Sequence, residues 1–98
     1  MKVSEINRTV IATYLKLDLD DLSEAEKTEL DMILESAKSY TISYTGHTLE
    51  ELDDIPETTL AVLVVIQDMY DDRSLMADND KVNLVLKSIL GMHSINLL

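Results

Sequence analysis

Three residues in this chain interrupt regular structure most strongly: Gly46, Gly91 and the single Pro56. An all-β chain of 98 residues would need many more turn residues. So few breakers leave long uninterrupted segments, and in a chain this short such segments read as helices. The side chains agree. Apolar residues make up 46% of the chain, yet there is no Phe and no Trp, and only four Tyr. A core of Leu, Ile, Val, Met and Ala favours helix packed on helix. The expectation is an all-α fold, a single domain over residues 1–98, built as a small bundle of about four helices around a central apolar helix.

Apolar spacing divides the chain. The first helix is expected from Glu5 to Leu15, with Ser4 as its N-cap and Ile6, Val10, Ile11, Tyr14 and Leu15 on one side. Lys16 to Leu22 reads as an acidic linker holding Asp18, Asp20 and Asp21. Ser23 followed by Glu26 is a capping box and marks the start of the second helix. Its apolar face is Leu30, Ile33, Leu34, Ala37, Tyr40 and Tyr44, and Gly46 stops it. His47 to Asp54 reads as a loop or a short helical turn, with Leu49 and Leu52 turned inward. Pro56 suits the first turn of a third helix, whose stretch from Thr59 to Tyr70 is apolar almost all round. Such a helix lies at the centre or is covered by a neighbour. Ser74 to Asp80 reads as a polar loop, with Asp78 or Asp80 capping a fourth helix that ends near Leu90. The tail from Met92 to Leu98 is apolar for a terminus.

Chemistry is sparse. The chain has no Cys, which excludes disulfides, thiolate metal sites and a Cys nucleophile. Its net charge of −11 argues against neutralising nucleic-acid phosphates and against an anionic membrane surface. Residues Met1 to Val10 lack the apolar core of a secretion signal, and the longest apolar run, Leu60 to Ile66, is far too short to span a membrane. Asp18, Asp20, Asp21 and Glu29 faintly suggest a calcium loop. That loop needs an oxygen ligand and then Gly where this chain has Leu22 and Ser23. His47 and His93 stand far apart, each without a second His or a Cys nearby. Adjacent acids such as Asp53–Asp54 and Asp71–Asp72 are unavoidable among nineteen carboxylates, and a catalytic pair also needs a pocket that separates the two pKa values. Neither a nucleophile elbow nor a phosphate-cradling Gly loop is present. Tyr40, Tyr44 and Tyr70 have only Lys38 and Arg73 near them in sequence, too few basic residues for a single-strand stacking platform, and read better as buried rings with exposed hydroxyls. The expectation is a protein without catalytic residues, cofactor or metal, whose apolar surplus is either wrapped by its own helices and a folded-back tail or meets another protein.

One sequence pattern is specific enough to name. Ile55-Pro56 opens the apolar helix Leu60-Ala61-Val62-Leu63-Val64-Val65-Ile66, which closes with Met69-Tyr70-Asp71-Asp72-Arg73. A loop follows, then Val82-Asn83-Leu84-Val85-Leu86-Lys87-Ser88-Ile89-Leu90. Upstream lie an acidic linker and a helix holding Ala37-Lys38-Ser39-Tyr40 and ending Tyr44-Thr45-Gly46. From about Leu15 to Leu90 the chain resembles the phage head–tail connector family, the head-completion adaptors also described as DNA-packaging proteins. It departs at the end, where Gly91-Met92-His93 replaces the aromatic or basic ending common in the family.

The resemblance implies a structural virion protein at the head–tail interface, held in the bacterial host cytoplasm before assembly. Its partners would be further copies of itself in a dodecameric ring, the portal protein above, the next tail-side head-completion protein below, and passing DNA without specific binding. No membrane is implied. Candidate inter-protein contacts are Ser74, Leu75, Met76, Ile95, Leu97 and Leu98, chosen for exposure and apolarity. Candidate channel-facing acids are Asp71, Asp72, Asp78 and Asp80, since an acidic lumen would let DNA slide without sticking. The alternative reading is an acidic helical regulatory or DNA-mimicking module that binds a basic protein.

Overall fold

The computed structural model describes residues 1–90. They form five α-helices and no strand: α1 (Arg8–Leu15), α2 (Glu24–Thr45), α3 (Leu49–Asp53), α4 (Pro56–Asp71) and α5 (Asn79–Leu90). Short 3₁₀ turns at Val3–Glu5, Leu19–Asp21 and Arg73–Ala77 join them. The all-α expectation holds, with α3 as a further short helix between the second and third expected ones. The Gly91 stop and the apolar tail lie outside the described residues.

Local chemistry explains the boundaries. At the start of α2, Ser23 Oγ accepts from the Glu26 N–H, and Glu26 Oε1 accepts in return from the Ser23 N–H at 3.0 Å. The same reciprocal pair recurs at α3, where Thr48 caps Glu51 and Glu51 caps Thr48. Two bonds of this kind let a five-residue helix form, with Leu52 fully buried beneath it. Gly46 closes α2 with φ near 73°, a left-handed conformation that costs glycine little. Lys16 closes α1 at φ 60° and is the one residue besides glycine with positive φ among those described. Pro56 occupies the first turn of α4.

The N-cap of α1 is Asn7 and not Ser4: Asn7 Oδ1 accepts from the Val10 N–H at 2.9 Å. Ser4 is used elsewhere. Its N–H and its hydroxyl both donate to the Asp53 carboxylate, 49 residues away, at 3.0 and 2.7 Å. These bonds fold the first residues over α3 and help bury Val3 and Ile6. The Thr59 hydroxyl donates to the Met1 carbonyl at 2.7 Å and holds the same segment to α4.

The core lies between α4 and the other helices. Ala61, Val62, Val65, Ile66 and Met69 are fully or almost fully buried and recur every three or four residues. They meet Ile11 from α1, Leu30, Ile33 and Ala37 from α2, Leu52 from α3, and Val82, Leu86 and Leu90 from α5. α4 is central, but its neighbours do not wrap it on every side. Leu60 points outward and remains 54% exposed.

Candidate interaction surfaces

Both arginines pin other segments to α2. The Arg8 guanidinium on α1 forks onto the Asp31 carboxylate, with Nε donating at 3.1 Å and Nη2 at 2.5 Å. These bonds hold the Asp31 carboxyl below its ordinary pKa. Arg73, at the start of the last 3₁₀ turn, donates through Nε to Glu29 Oε1 at 2.9 Å, and its Nη2 reaches the same oxygen. Its guanidinium also lies over the Tyr70 ring, 4.7 Å from the centroid. The corner between α4 and α5 is thereby tied to the first half of α2.

This corner holds most of the sequence-selected site residues. Asp71 ends α4 and is exposed. Asp72 is exposed, and its Oδ1 accepts from the Ser74 N–H and hydroxyl at 3.0 and 2.6 Å. Those bonds lower the Asp72 pKa. Asp78 accepts from the Lys81 N–H at 3.1 Å and so caps the first turn of α5, while Asp80 is exposed in that turn. Ser74 is exposed. Leu75 and Met76 are half-buried against the core, and the Met76 carbonyl accepts from the Tyr40 hydroxyl at 2.7 Å. Exposure, one ground for choosing Leu75 and Met76, is therefore only partial. Ile95, Leu97 and Leu98 lie outside the described residues. Burial raises the Asp68 pKa, and Asp71 nearby adds to the shift.

Sequence reading passed over the outward face of α2. There a groove of about 590 Å³ runs between α2, α5 and the last 3₁₀ turn. Ser36, Ser43, Tyr40 and Tyr44 form one wall, with Met76 and Asn83 opposite. A second concavity of about 350 Å³ lies beside it, lined by Glu35, Lys38, Ser39, Ile42 and Leu49. Glu35, Ser39 and Ser43 border both, so the serines form a low ridge between two hollows. Neither lining contains a His to activate a serine hydroxyl. Among the described residues no three His, Cys, Asp or Glu gather as metal ligands, and no helix is long and apolar enough to cross a membrane. The surface offers hydroxyls, amides, two aromatic rings and two opposite charges.

The residues thus define a class, an acidic all-α bundle. Comparison with protein-family models, with curated proteins and with solved structures finds no match.

Proposed function

We propose that this chain is a structural virion protein, a head–tail connector that docks as a ring beneath the portal, extends the DNA channel and joins head to tail. The observation carrying this reading is the Ile55-Pro56-led helix that closes with Tyr70 and Arg73. Arg73 stacks on Tyr70 and pairs with Glu29, so the closing residues of the motif brace α4 against α2. That bracing gives the motif a structural purpose in a building block. The acids at the α4–α5 corner, Asp71, Asp72, Asp78 and Asp80, supply a negative surface that passing DNA would not adhere to. The ring, twelve-membered on the resemblance, and the portal and tail-side partners belong to the same proposal.

The DNA-mimic alternative calls for a continuous negative face. The α2 ridge, with serines and a single Glu between Met32 and Ser43, interrupts one. Electron microscopy of the protein mixed with its portal complex tests the connector reading. The expected result is ring density below the portal. Portal particles that remain bare at saturating protein concentration refute it.

A further inference from the structure

We propose that the outward face of α2 is a self-association surface, on which two copies of the free chain pair antiparallel about a two-fold axis centred between Ser36 and Ala37. At about 100° per residue, Met32, Glu35, Ser36, Ser39 and Ser43 fall within one narrow arc of the helix. Buried Leu30, Ile33, Leu34, Ala37 and Thr41 occupy the other side, so this arc is unpartnered within the chain. Small serines at its centre allow a second backbone to come close, with hollows on either flank to receive ridges of side chains.

Charge selects the occupant. The chain carries −11 overall, and two copies repel wherever carboxylates meet. On the α2 arc and its flank the charges left without an ion pair are Glu35 and Lys38, which cancel, while Asp31 on the same flank is held by Arg8. Neither makes an ion pair among the described residues. A basic partner would find a single unpaired carboxylate here, whereas a second copy finds a match. The proposed axis sets Glu35 of each copy level with Lys38 of the other. Such an axis keeps each flank opposite its own equivalent, so the two charges meet twice, by symmetry. The same register sets Met32, 58% exposed, level with Thr41 of the other copy. There its flexible thioether reaches the groove walled by Tyr40 and Tyr44, a favourable sulfur–aromatic contact.

A two-fold pair closes on itself and cannot extend into a ring. The pairing therefore concerns the free chain and stands apart from the connector reading. Sedimentation equilibrium of the full chain, from micromolar to millimolar concentration, tests it. A monomer–dimer equilibrium is expected. Glu35→Lys and Lys38→Glu should each weaken it roughly tenfold, since each sets like charges together at two symmetric places. The double exchange should restore the original affinity. Glu35→Lys is the discriminating variant, because it reduces net charge and would strengthen any association governed by gross repulsion. Met32→Ser should also weaken the dimer, with unchanged far-UV circular dichroism. A monomer at every concentration, assembly beyond two copies, a tighter Glu35→Lys dimer, an unaffected Met32→Ser dimer, or a double exchange as weak as the singles would each overturn the proposal.

Discussion

Thr58→Val should make this protein more stable. Thr58 sits in the first turn of α4 and is fully buried. Its backbone N–H donates to the Ile55 carbonyl at 3.0 Å, but its Oγ1 has no hydrogen-bond partner among the described residues. A buried hydroxyl left unsatisfied costs about 1–3 kcal/mol relative to its hydrated state. Valine has the same branched shape and nearly the same helix preference, so the exchange removes that cost without opening a cavity. The expected gain is about 1.5 kcal/mol. For a domain this small each kcal/mol moves the melting temperature by about 4–8 °C, so Tm should rise by roughly 6–12 °C. Thermal melts by circular dichroism and urea midpoints measure it. Thr58→Ser is the control: it keeps the hydroxyl, loses the methyl, and should destabilise by about 1 kcal/mol. A Thr58→Val protein that melts at or below the parent temperature refutes the reasoning, since the hydroxyl would then have an effective partner.

Lys16→Gly should stabilise by about 0.5–1 kcal/mol, read from the same melts, because Lys16 holds a left-handed φ of 60° that glycine adopts freely. Ile66→Ala should cost about 3 kcal/mol in urea unfolding, since Ile66 is fully buried at the centre of the core. Lowering the pH should leave stability level down to about 4.5 and then erode it. Glu26, Glu51, Asp53, Asp72 and Asp31 all have depressed pKa values in the fold, so their contribution is complete above the ordinary carboxylate values and is lost as pH falls through the folded ones. Asp68 has the opposite sign. Its raised pKa makes its contribution present at low pH and lost as pH rises, so Asp68→Asn should raise the neutral-pH urea midpoint and add little in acid.

Elements with local signals were legible in the sequence. The Ser23–Glu26 box, Gly46 and Pro56 each act within one turn, and each lies where its chemistry places it. The Thr48–Glu51 box is the same signal, and reading it would have identified α3 as a helix. Ser4 shows where local reading ends. Nothing near it in the chain indicates that Asp53 will claim its hydroxyl, which leaves Asn7 to cap α1. The apolar density of α4 correctly marks the centre of the bundle but cannot tell which side stays open, because that depends on how many helices surround it. The same limit hid the α2 surface. Its serines look like an ordinary solvated face, and the hollows beside them exist only once α5 and the last 3₁₀ turn are in place.

The placement of the tyrosines has a practical consequence for spectroscopy. With no Trp or Phe, all near-ultraviolet signal comes from four rings. Tyr70 lies under a guanidinium, Tyr40 is anchored through its hydroxyl to the Met76 carbonyl, and Tyr44 lines the adjoining groove. Tyr70 and Tyr40 thus hold the two ends of one segment, the 3₁₀ turn between α4 and α5. Near-ultraviolet dichroism and tyrosine emission will register the opening of that segment.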